Sequence, residues 1–171
     1  AKKYGAAILC LPIASDVPRT APERVAIIKT IINAAKKIGL TDTDFLLDAL
    51  VMTVAADEIA ATETMQTLKA YREEFGYPST MGLSNISYGL PNRPLMNSIF
   101  FAMNLACGLD APIINPYDKT MQDVLLTSSA LLGYDKNAKE YSLTEANVET
   151  VVATPTSPDT DILTAIKNAV K

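Results

Sequence analysis

The sequence predicts an α/β fold with a parallel sheet, and three observations predict it. Short apolar runs alternate four times with amphipathic helical stretches. Within the runs, apolar residues occupy consecutive positions rather than alternate ones, as in strands buried on both faces. A glycine closes each helical stretch, at Gly39, Gly76, Gly108 and Gly133, so the units recur every 25 to 37 residues, the length of a βα repeat.

The elements follow in order. Residues 1–5 read as the last turn of a helix, with Lys2 and Lys3 near its C-terminus and Gly5 as the stop. A domain rarely starts there, so the chain is expected to be cut upstream. The first strand is Ala6–Leu11. Pro18 and the Thr20-Ala21-Pro22-Glu23 capping box then start a helix with Val25, Ile28, Ile31, Ile32, Ala35 and Ile38 at helical spacing. The second strand is Phe45–Val51, interrupted by Asp48, with a helix over roughly 63–75. Thr80–Ile86 is the third strand, with a helix over 94–107. Ala111–Asn115 is the fourth, with a helix over 121–132 capped by Asp118 and Thr120, Asp123 lying in its first turn. Met96, Phe100 and Met103 fall at helical spacing and read as core. The stretch Ala153–Asp159 is a linker by composition. Ile162, Leu163, Ile166, Ala169 and Val170 then begin an amphipathic helix that looks like the start of another domain.

Composition narrows the chemistry. The chain has 171 residues, 49% of them hydrophobic, and a formal net charge of −4. That supports a sizeable core, and no basic stripe marks a nucleic-acid or anionic-membrane surface. No apolar run nears the ~20 residues of a membrane span, and no signal-peptide core stands at the N-terminus, so a cytoplasmic location is the default reading. There is no histidine and there are two cysteines, Cys10 and Cys107. Catalysis by Ser–His–Asp or Cys–His is therefore excluded, as is a common zinc site. The remaining groups are amides, carboxylates, hydroxyls, Lys and Arg.

Four βα units are half of an eight-stranded barrel, which takes ~250 residues. They also suit a small open sheet, and spacing alone leaves both readings standing. In either case function sits at the carboxyl ends of the strands. Three polar clusters fall there: Asp48; Gly82-Leu83-Ser84-Asn85; and Asn115-Pro116-Tyr117-Asp118, with Arg93 in the loop after the third strand. Asp48 reads either as a structural carboxylate accepting loop N–H bonds or as a ligand anchor, and its strand-end position favours the anchor. Asn85 reads as an Asx-turn residue or a functional amide, and Asn115 before Pro116 as a turn former.

The block Gly82-Leu83-Ser84-Asn85-Ile86-Ser87-Tyr88-Gly89-Leu90-Pro91-Asn92-Arg93-Pro94-Leu95-Met96-Asn97 resembles the pterin-binding methyltransferase family. So do Asp48-Ala49-Leu50-Val51 and Phe101–Asp110, and the similarity runs in register over roughly residues 1–140. This family includes the folate domain of cobalamin-dependent methionine synthase and methyltetrahydrofolate:corrinoid/iron–sulfur protein methyltransferases. The resemblance implies that residues 1–141 are the last four βα units of a TIM barrel, 142–160 a linker, and 161–171 the start of a helical cobalamin-binding module.

On that resemblance Asp48 is the pterin-binding carboxylate and Asn85 the catalytic amide. Gly82, Ser84, Arg93 and Asn115 complete the pterin-binding set, with no metal site. Family members also use an Asp and an Asn from two earlier strands that this chain lacks, so the full site needs the missing N-terminal half barrel. A carboxylate can accept the pterin ring N–H and the exocyclic amine together. An amide near N5 can stabilise charge there as the methyl group leaves. Methyltetrahydrofolate is the implied substrate, and the acceptor is Co(I) cobalamin carried by a partner domain or corrinoid protein. A methionine synthase parent is expected, and a stand-alone corrinoid-protein methyltransferase is the near alternative. Dihydropteroate synthase ranks lower, because Asn85 and Asn115 stand where that family places basic residues. A non-catalytic half barrel, dimerising through its open edges, is the remaining reading.

Overall fold

Residues 1–145 are described by a computed structural model. Ala1–Tyr141 form one compact unit. The expected linker, beyond its first four residues, and the expected helix from residue 161 lie outside the described residues.

Four parallel strands stand in sequence order: β1 (Ile8–Cys10), β2 (Phe45–Asp48), β3 (Ser79–Gly82) and β4 (Ala111–Ile113). Each is followed by a helix: α1 (Ala21–Lys37), α2 (Ala60–Glu74), α3 (Arg93–Ala106) and α4 (Lys119–Leu131). A short α5 (Lys139–Glu145) ends the described chain. The four-unit α/β reading therefore holds.

The register sorts the strand residues onto two faces. Leu9 pairs with Leu46, Asp48 with Thr80, Thr80 with Ala111 and Gly82 with Ile113. Because side chains alternate along a strand, Cys10, Phe45, Leu47 and Met81 share the opposite face, and all four are buried. There they join two core clusters with Ile28 and Ile32 of α1, Tyr71 and Leu68 of α2, and Phe100, Phe101 and Leu105 of α3. The face bearing Leu9 and Ile113 is open at these edge strands, the two residues being 49% and 56% exposed, while Asp48 and Thr80 at its centre are buried. The helices thus lie on one side of the sheet.

Capping explains the helix boundaries. Ahead of α1, the Thr20 N–H and hydroxyl both donate to the Glu23 carboxylate, at 2.9 Å each, and Gly39 follows the helix at φ +88°, where a side chain would be strained. Asp118 caps α4 by accepting the Thr120 and Met121 N–H groups. Asp123 lies beyond the first turn of α4, correcting the expectation, and pairs with Lys119 one turn earlier.

Three further expectations are corrected. The third strand stops at Gly82, and Leu83–Ser87 form a 3-10 helix whose Leu83 and Ile86 are buried. Arg93 is the first residue of α3 rather than a loop residue. Phe100 is buried and Met96 packs against the core, but Met103 is 43% exposed. It continues a surface stripe with Leu95 and Ile99, one turn apart from each other, beside the α2–α3 groove.

Candidate functional site

Every sequence-selected polar residue sits at the carboxyl end of the sheet. Asp48 is the last residue of β2 and Gly82 the last of β3. Ser84 and Asn85 lie on the 3-10 helix that follows, Arg93 opens α3, and Asn115 stands two residues past β4.

Asp48 is the buried member, 8% exposed. Its Oδ1 accepts the Leu50 N–H at 2.8 Å, an Asx-turn arrangement, while Oδ2 takes no hydrogen bond among the described residues. Burial pushes the carboxyl above its ordinary value, and the Leu50 N–H pulls the other way. The turn is tight: Leu50 adopts φ +55°, a left-handed conformation that costs a non-glycine residue about 1 kcal/mol or more. Asp48 is thus a turn-forming carboxylate whose second oxygen is not used by the turn.

Asn85 is exposed, and its amide makes no hydrogen bond among the described residues. It lies over the bare Cα of Gly82: a Cβ built there would stand 3.2 Å from Asn85 Nδ2. Gly82 has φ −78°, which any residue can adopt, so what its lack of a side chain supplies is room for the amide.

Arg93 folds back onto the turn that carries Asn85. Its Nη2 donates to Ser84 O at 2.9 Å and its Nε to Ser87 Oγ at 3.0 Å. Ser87, fully buried, donates to Asn97 Oδ1 at 2.7 Å. Ser87 and Asn97 were not among the selected residues, although both stand in the Gly82–Asn97 block. Their one sequence signal is membership of that polar block, because the 3-10 helix that aligns Ser87 with Ser84 reads in sequence as strand.

Asn115 behaves as the turn former its Pro116 neighbour suggested, its Oδ1 accepting the Tyr117 N–H at 3.1 Å. It nonetheless lines one cleft of about 300 Å³ with Ser84, Asn97 and Asp118. The structure brings Gly82, Ser84, Asn85 and Arg93 together around one turn and adds Asn115 across the cleft. Asp48 belongs to the neighbouring strand, level with Thr80 and so two residues short of Gly82, and it does not line that cleft. Acceptor and amide therefore come from adjacent strand ends.

Among the described residues no group of three or more His, Cys, Asp and Glu is arranged to hold a metal ion, and no helix is long and apolar enough to cross a membrane.

A family model described as pterin binding enzyme matches residues 1–115. The chain is 33% identical over 131 residues to the methylcorrinoid:tetrahydrofolate methyltransferase of Eubacterium limosum, a match covering 75% of this chain and 48% of that protein. It is 30% identical over 153 residues to the methionine synthase of Mycobacterium tuberculosis, covering 81% of this chain and 13% of that protein. To the methionine synthase of Mycobacterium leprae it is 33% identical over 122 residues, covering 66% and 10%. The chain spans about half the length of the first relative and a smaller part of the other two.

Proposed function

Because the chain belongs to the pterin-binding enzyme family, we propose that it binds methyltetrahydrofolate and supports methyl transfer between the folate N5 and a corrinoid cobalt, as the folate-binding part of a methionine synthase. The observation that carries this reading is the pairing at adjacent strand ends of a buried carboxylate with an open oxygen, Asp48, and an exposed, unengaged amide, Asn85. The carboxylate suits two parallel N–H donors on one edge of a pterin ring. The amide suits the nitrogen whose charge changes as the methyl group leaves or arrives, where a lost donor typically costs ~10²–10³ in rate. Gly82 gives that amide its room, Ser84 and Asn115 line the adjoining cleft, and Arg93 braces the turn through Ser84 O and Ser87 Oγ. On this reading a partner domain or protein holds the corrinoid, whose cobalt would supply a centre able to carry the methyl group. A parallel sheet covered by helices on one face is what a barrel wall presents. We read it as half of such a wall, with the remaining strands and their share of the pterin contacts supplied from outside the described residues.

A second reading, a stand-alone methyltransferase serving a corrinoid protein, is favoured by the Eubacterium relative, half of whose length this chain matches. Methyl transfer from methyltetrahydrofolate to Co(I) cobalamin, followed by the change in corrinoid absorbance, tests the shared chemistry. Asn85→Ala is expected to slow it by about a hundredfold or more, and an unchanged rate overturns the role. Methionine formation from homocysteine by the intact protein separates the two parents, since only a methionine synthase supports it.

A further inference from the structure

Three consecutive carbonyls at the end of β2 accept hydrogen bonds from buried side chains of the helices behind the sheet. Tyr71 of α2 donates its hydroxyl to Asp48 O at 3.2 Å. Arg24 of α1 donates Nη1 to Ala49 O at 3.1 Å. Thr64 of α2 shares its hydroxyl proton between Leu50 O at 3.3 Å and Ala60 O at 2.9 Å. Tyr71 and Thr64 are fully buried and Arg24 is 1% exposed.

Arg24 is an expensive choice for that place. Its other acceptors are Pro18 O, Arg19 O and Thr67 Oγ1, so every hydrogen bond it makes among the described residues goes to a neutral group, and the Glu63, Asp57 and Glu23 carboxylates act on its charge without bonding it. A buried guanidinium paired only with neutral acceptors contributes poorly to stability, and an apolar side chain on the same helical stripe packs at lower cost. What the guanidinium adds is a rigid planar fork of donors. Here the fork ties the loop after β1, through Pro18 and Arg19, to the peptide that follows Asp48. That peptide leads into the left-handed Leu50, whose N–H is the one fixed contact of the Asp48 carboxylate. A strained turn of this kind persists only where its surroundings over-determine it.

We infer that Arg24 and Tyr71 are positioning residues, which clamp the Asp48–Ala49 carbonyls so that the Asp48 carboxylate is held ready for the pterin edge. This rests on Asp48 being the pterin anchor, as proposed above.

The test is a double-mutant cycle on the intact protein, reading the Kd of methyltetrahydrofolate by calorimetry and folding by circular dichroism. Tyr71→Phe keeps the ring and removes one hydroxyl; Arg24→Lys keeps the charge and removes the fork. Each is measured alone and with Asp48→Asn. If the clamp acts through Asp48, Tyr71→Phe weakens binding by about three- to tenfold with Asp48 present and by less than about twofold once Asp48 is asparagine. An equal loss in both backgrounds marks a merely structural role and overturns the inference, as does no loss in either. If Asp48→Asn alone leaves Kd unchanged, the anchor reading fails first, and that failure shows in a different arm. Should Arg24→Lys not fold, Tyr71→Phe decides the question alone.

Discussion

Asp48→Asn is expected to weaken methyltetrahydrofolate binding by about thirtyfold while raising the melting temperature at neutral pH. The two side chains have nearly the same shape, and an asparagine Oδ1 can still accept the Leu50 N–H now held at 2.8 Å. What changes is charge, and with it the second acceptor. With Oδ1 kept on the Leu50 N–H, the asparagine turns a donor, Nδ2, toward the ligand N–H groups, and losing a hydrogen bond to a charged acceptor costs roughly 1.5–3 kcal/mol, here about 2 kcal/mol or about thirtyfold in Kd. The effect on stability has the opposite sign. Burial raises the Asp48 pKa above its ordinary 3.8, so the native state holds that proton more tightly than the unfolded chain. The resulting stability is complete below pH 3.8 and is lost as pH rises through the folded-state value. Asparagine suffers no such loss, so the gain in melting temperature should be present at pH 7 and fade toward pH 3.8. Calorimetric titration gives the affinity, and thermal melts across that pH range give the stability. An unchanged Kd refutes the anchor role. A lower melting temperature at neutral pH refutes the argument that the ionised, buried carboxylate opposes folding.

Three other substitutions follow from the same geometry. Gly82→Ala places a Cβ 3.2 Å from Asn85 Nδ2; a displacement of roughly 0.3 Å, scaled from about a hundredfold per ångström, slows methyl transfer about fourfold, which single-turnover absorbance can resolve. Ser87→Ala strips Asn97 Oδ1 and Arg93 Nε of their shared partner and should cost about 1–2 kcal/mol in urea denaturation. Asn104 is fully buried, with Nδ2 on Phe100 O and Oδ1 without a partner among the described residues; Asn104→Leu should raise the urea midpoint by the equivalent of about 1 kcal/mol, and a fall would show that the oxygen is engaged.

The fold was largely legible because its signals are local. The Thr20–Glu23 box, the Asp118 cap and the stop glycines each act through neighbours within a few residues, and each lies where the helices begin or end. The end of β3 was not legible. Leu83 and Ile86 look in sequence like a continuing strand, yet they are buried at i, i+3 spacing on a 3-10 helix. An apolar run records burial without recording which conformation achieves it. The same limit misplaced Met103, which shares the helical spacing of the buried Phe100 but points onto the Leu95–Ile99 stripe.

The candidate site divides along a related line. Asp48 stood out in the sequence because a charge inside an apolar run demands a reason, whereas Asn85 read equally well as a turn residue and only the family resemblance singled it out. Arg24 was missed, yet its own stripe carried the same kind of warning. The buried positions of α1 are Ala21, Arg24, Ile28, Ile32 and Ala35, so one charged residue occupies the inward face of an otherwise apolar helix. In α2 the inward residues are Ala60, Thr64, Thr67, Leu68 and Tyr71, unusually polar for a helix packed on a sheet. Helices that only cover a sheet gain nothing from buried hydroxyls and a guanidinium. These donors meet the carbonyls of the last residue of β2 and of the two that follow it, where the ladder ends and the backbone still needs partners. A polar residue on the core-facing stripe of a βα unit therefore points to the strand end it supports, and here that end carries Asp48.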